Sequence, residues 1–107
     1  MRILLDESSP RPLARLLHGH DVSTVRAESW TSLTNGVLLR QAAAKFEVLP
    51  TADQNIQFQQ NPAALPLAVL VIVAESNRLE SIEPLVPDVL DALKGLKPRT
   101  LIRVGAY

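Results

Sequence analysis

The chain has no cysteine, which excludes disulfides and every metal site built on thiolates. That absence suits a reducing compartment, and the expected location is the cytoplasm. Neither sign of charge is in excess, since eleven basic and eleven acidic residues give a formal charge of zero. A dedicated nucleic-acid binder carries a basic surplus. Neutrality therefore argues against broad, non-specific binding of RNA or DNA, but not against an enzyme that grips a few phosphates. It also removes a solubility safeguard, so self-association into a homodimer or association with a partner is an open expectation. Long apolar runs are missing too. The longest, Ala63 to Ala74, has 12 residues and is interrupted by Pro66, whereas a membrane span needs ~20. At the N-terminus, Ile3-Leu4-Leu5 is too short for the apolar core of a signal peptide and is cut off by Asp6. A soluble protein with no membrane partner is expected. Glycine-rich phosphate loops, a Ser-His-Asp set and a dinucleotide fingerprint are absent as well.

What is present fits one domain spanning residues 1–107. Hydrophobic residues make up 47% of the chain, enough for a real core. Short apolar segments alternate with helical spacings. Strands are predicted at Arg2–Leu5, His20–Val25, Glu47–Thr51, Leu67–Val73 and Thr100–Val104. A helix capped by Ser8 or Ser9 carries Pro10 and Pro12 in its first turn, where a missing N–H does no harm, and it ends at Gly19. A second helix starts at Thr34 or Asn35, with Leu38, Leu39, Ala42, Ala43 and Phe46 facing inward. Residues Gln54 to Gln60 read as a short polar helix or loop. Ile82, Leu85, Val86, Val89, Leu90 and Leu93 give Ser81–Leu96 a helical stripe, its start made irregular by Pro84 and Pro87. This alternation predicts an α/β fold: three layers, a mostly parallel five-stranded sheet with helices on both faces. Right-handed crossovers favour the strand order 2-1-3-4-5.

In that order the first and third strands flank the switch point, beside which ligands bind at the carboxyl ends of strands. Asp6 ends the first strand and Asp53 follows the third. Two converging carboxylates repel unless a cation or donor compensates them. A hard ion such as Mg²⁺ takes one or two carboxylates together with water and substrate phosphate, and it promotes phosphodiester hydrolysis. The plainer alternative is that Asp53 caps a following turn through the N–H groups of residues 55 and 56, and that Glu7 is a solvated loop residue.

Two stretches carry a family resemblance. MRILLDESSPRPLARLLHGHDVSTVR resembles the opening of the bacterial PIN-like domain family, which runs from an apolar strand through Asp-Glu-Asn, a proline and an Ala-Arg-Leu helix to Gly-His-Asp-Val. LPTADQN resembles that family's second signature, an apolar strand followed by Thr-x-Asp-x-Asp or Thr-x-Asp-x-Asn. The resemblance implies a Mg²⁺- or Mn²⁺-dependent endoribonuclease with an RNA substrate, the toxin-like component of a toxin–antitoxin pair with an antitoxin protein as partner. It places Asp6 and Asp53 at the catalytic, metal-binding positions and matches Glu7, as a further metal-binding residue, to the second acid of the opening motif. Asn35 stands where the family often has an acid, and Asn55 replaces the last acid of the second signature, so these two are supporting residues that offer carbonyl oxygen without charge. The alternative is a catalytically degenerate PIN-like module that binds a protein partner or RNA without cutting it. A receiver-like phosphoacceptor domain ranks below both, because no lysine follows the last strand.

Other residues admit two readings each. Arg78 can contact a phosphate or pair with Glu75 or Glu80. Trp30 can stack on a base or cover the edge of the sheet. His18 and His20 can serve as base or ligand, or simply mark the turn from helix to strand. The amide-rich QNIQFQQN can touch RNA or form a solvated turn.

Overall fold

The structure, a computed structural model, describes residues 1–53 and 66–105, the side chain of Asn35 excepted. The elements in chain order are β1 Arg2–Leu5, α1 Leu13–Leu16, β2 Asp21–Thr24, α2 Asn35–Ala43, β3 Val48–Thr51, β4 Ala68–Ile72, α3 Leu79–Ile82, α4 Val86–Lys94 and β5 Leu101–Val104. The strands form a five-stranded sheet in the order β2-β1-β3-β4-β5, with every pairing parallel. This is the order expected from the sequence. All five residues of β4 are buried, as a central parallel strand covered on both faces requires. Among the described residues, no helix is long and apolar enough to cross a membrane.

The core divides at the sheet. On one face, Ile3 and Leu5 of β1, Val48 of β3 and Ala68, Leu70 and Ile72 of β4 pack with Leu13 and Leu17 around α1 and with Ile82, Val86, Val89 and Leu93 of α3 and α4. On the other face, Leu4, Leu49, Val69 and Val71 pack with Leu38, Leu39 and Ala42 of α2 and with Phe46. The alternation of faces along each strand is the period of two that the pleat imposes. Each fully buried aliphatic side chain contributes about 1.5–3 kcal/mol. Trp30 packs against the α2 face, with its ring edge-on to Phe46 at 6.2 Å and the Lys45 ammonium 5.8 Å from its centroid. It therefore covers the sheet, the plainer of its two readings.

The structure departs from the sequence reading in local ways. The first helix is a single turn whose N-cap is Pro12, with no side-chain cap. Ser8 and Ser9 do not cap it: the helix starts only at Leu13, four residues beyond Ser9, and the two hydroxyls are turned instead toward Asp6, to which they donate. Ala43, expected to face inward, is exposed. The predicted helix Ser81–Leu96 is divided into α3, a 3₁₀ turn at Glu83–Leu85 and α4, with Pro84 and Pro87 in the opening positions of the last two. Proline has no N–H to continue the helical bonding across each join. Finally, α4 lies on the α1 face. The β2-to-β3 and β4-to-β5 crossovers both run in the same direction along the sheet, but on opposite faces. They therefore have opposite hands, and one departs from the right-handed rule. The single turn of α1 is too short to cover Leu70 and Ile72, and α4 supplies that cover.

Candidate functional site

The parallel pairing of β1 with β3 sets Ile3 beside Val48. Three residues further along each strand, the same register brings Asp6 beside Thr51, at the carboxyl ends of the two strands that flank the switch point. Thr51 is fully buried, and its hydroxyl donates to Asp6 Oδ2. The loop leaving β1 folds back so that Ser8 Oγ lies 2.9 Å from both Asp6 oxygens, and Ser9 Oγ donates to Oδ1 at 3.0 Å. Ser8 Oγ also lies 3.2 Å from Thr51 Oγ1 and accepts the Ala52 N–H at 3.3 Å. The Asp53 N–H donates to Thr51 Oγ1 at 3.0 Å. Thr51 is thus the joint between the two acids: it donates a hydrogen bond to the side chain of one and accepts a hydrogen bond from the backbone of the other.

Burial pushes the Asp6 carboxyl above its ordinary range. The hydroxyl bonds from Thr51, Ser8 and Ser9 oppose that rise, and the charge of Asp53 adds to it. Asp6 and Asp53 are therefore close enough to repel each other electrostatically, on one edge of the sheet.

The remaining expected residues are distributed unevenly. Glu7 is exposed and lines a pocket on the β2 side of Asp6. Asn35 opens α2. That helix runs from the carboxyl edge, where β2 ends, to the amino edge, where β3 begins, so its first residue falls on the same edge as Asp6. Asn55, Phe58 and the amide-rich stretch lie outside the described residues, as do the N–H groups that Asp53 would cap. Arg78 sits just before α3, exposed, with its guanidinium 3.5 Å from Glu80, which is one of the two pairings left open. His18 and His20 precede β2 and so fall at the opposite edge, away from Asp6. Gly19 between them takes φ +82°, a conformation that glycine adopts without strain.

The chain was compared with known proteins. No family model, curated protein or solved structure matches it. The chemistry is therefore read from the site itself.

The donor set around Asp6 consists of oxygen alone: two carboxylates and the hydroxyls of Ser8, Ser9 and Thr51. Such a set suits a hard divalent cation and not a thiophilic or imidazole-seeking one. Among the described residues, no three His, Cys, Asp or Glu side chains come together. Asp6 and Asp53 are the residues that could hold such an ion, with water completing its shell, as Mg²⁺ accepts. Sequence reasoning missed the hydroxyl network. Its signal was visible only in retrospect: serines two and three places after one acid, and a threonine two places before the other.

Proposed function

We propose that the protein is a Mg²⁺- or Mn²⁺-dependent phosphodiesterase acting on RNA, an endoribonuclease of the PIN-like kind. One observation carries this reading. Two mutually repelling carboxylates, both half-buried, share the carboxyl edge of adjacent parallel strands at the switch point. Asp6 and Asp53 would hold the ion, which when bound supplies a hydroxide nucleophile and neutralises charge on the phosphoryl oxygens. The chain's own residues do the rest. Thr51, Ser8 and Ser9 fix the rotamer of Asp6 and keep its charged form accessible despite burial. Asp53, half-buried at the site's edge, is placed to orient water or take its proton. The roles of toxin-like component and antitoxin partner rest on the sequence resemblance.

A second reading has its own support. Three hydroxyls already satisfy both Asp6 oxygens, a closed network that also ties the loop after β1 to the end of β3. Such a network serves equally in a PIN-like module that binds RNA or a protein partner without cutting. The test is cleavage of single-stranded RNA in Mn²⁺ by the parent protein, Asp6→Asn and Asp53→Asn. Cleavage by the parent alone supports the nuclease. Equal cleavage by all three removes these acids from the chemistry, and no cleavage by any favours the binding module.

A further inference from the structure

A pocket of about 230 Å³ opens between the carboxyl ends of β1 and β2, and Asp6, Glu7, Ser9, Arg11, Thr24 and Arg26 line it. None of these positions was singled out for binding except the two acids. Arg11 and Arg26 arrive from different segments, the loop before α1 and the residue pair that follows β2. Neither guanidinium is in an ion pair among the described residues, although two carboxylates share the pocket with them. Thr24 Oγ1 accepts the Ala27 N–H at 3.0 Å, which leaves its own proton free to donate. Two unpaired planar guanidiniums and a hydroxyl donor make a recognised arrangement for a phosphate, which Arg binds through paired N–H bonds.

We infer that this pocket binds a phosphomonoester, the terminal phosphate of a nucleotide or RNA strand, between Arg11 and Arg26. The identification of the ligand as a nucleotide rests on the proposed function; the anion site itself does not. The limits of the pocket select one phosphate rather than a run of them. Its volume is below the ~300–1,000 Å³ of sites that enclose a drug-sized ligand. Glu7 on its wall repels a second phosphate, as does Asp6 when ionised. On this account the terminal phosphate docks in the pocket, and Asp6 stands between it and Asp53.

The test is binding of 5′-AMP, with adenosine as the control, by calorimetry on the full chain without divalent metal. The parent should bind 5′-AMP and not adenosine. Arg11→Gln and Arg26→Gln should each weaken binding ~10-fold or more, since each loses charge-assisted bonds, and the double variant should abolish it. Arg40→Gln, on the solvent side of α2, should bind as the parent does. All three positions altered are exposed, so unchanged melting by circular dichroism is expected to verify the fold. Arg11→Lys with Arg26→Lys keeps the charge and loses the planar fork, and it should also bind weakly. Parent-like binding by that lysine pair, or by either glutamine variant, would overturn the inference, as would equal binding of adenosine. Because no metal is present, the outcome is separate from cleavage. Arginine-dependent 5′-AMP binding by a protein that cuts no RNA sinks the nuclease and keeps the pocket. RNA cleavage with arginine-independent binding does the reverse.

Discussion

Replacing Thr51 by valine removes one hydroxyl and keeps the shape of a fully buried side chain. If that hydroxyl were idle, the change would be neutral or stabilising, because a buried polar group would be gone. The structure gives it two bonds instead: it donates to Asp6 Oδ2 and accepts the Asp53 N–H. A hydrogen bond to a charged group contributes about 1.5–3 kcal/mol. Asp53 is half-exposed, so water recovers part of the second bond. The expected loss is therefore about 2–3 kcal/mol, dominated by Asp6. For a domain of this size that is a fall in Tm of roughly 8–15 °C, read by circular dichroism or calorimetry. Thr51→Ser keeps the hydroxyl and loses only a methyl, so it should lose less than the valine variant. The pH dependence adds a second readout. The folded pKa of Asp6 is raised, so the folded protein binds the proton more tightly than the unfolded chain. This contribution to stability is complete below the ordinary carboxylate pKa and is lost as pH rises through the folded value. Thr51 is the strongest of the hydroxyls opposing that rise. Thr51→Val should therefore move the window upward, and its penalty should be largest above the folded pKa, where Asp6 is charged. A variant within ~0.5 kcal/mol of the parent at neutral pH, with the same pH profile, would refute the view that this hydroxyl supports the acid pair.

Asp6→Asn should fold and flatten the fall in stability with rising pH that the parent shows through the raised pKa, because the repulsion from Asp53 is removed while the surrounding hydroxyls still find an amide partner; a melting temperature many degrees lower would instead assign Asp6 a structural role. Asn35→Asp should tighten Mn²⁺ binding by calorimetry, and the helix N-terminus should itself favour the anion by ~0.3–1 kcal/mol; unchanged affinity would remove position 35 from the ion's surroundings. Gly105→Ala should destabilise the protein by about 2–5 kcal/mol in a denaturant titration, from backbone strain and overpacking combined, because φ is +95° and a Cβ would lie 2.6 Å from the Val73 carbonyl oxygen and 2.8 Å from Leu85; a neutral result would mean that this turn relaxes freely.

Much of the fold is legible in the sequence because its determinants are local. The apolar run at Ala68–Ile72 and the stripe from Ile82 to Leu93 each announce one element, and their alternation with turns gives the strand order. The acid pair is legible for the same reason, since Asp6 and Asp53 both sit where an apolar strand stops. What the sequence hides depends on competition or on distance. Ser8 and Ser9 have the signature of helix caps, but the chain turns both hydroxyls onto the half-buried Asp6 carboxylate, and the helix starts only at Leu13. Thr51 looks like an ordinary strand residue until the register of β1 against β3 sets it beside Asp6. The Arg11–Arg26 pocket exists only once β2 pairs beside β1. The hand of the last crossover follows from which face lacks cover, a property of the whole sheet that no single segment encodes.

The central claim is that Asp6 and Asp53 hold one divalent ion between them. A crystal soaked in Mn²⁺ and measured at the manganese absorption edge tests it directly. The account expects an anomalous peak in contact with a carboxylate oxygen of each residue, absent from Asp6→Asn crystals soaked in the same way. A peak elsewhere, or none at saturating Mn²⁺ in an otherwise ordered site, would contradict it.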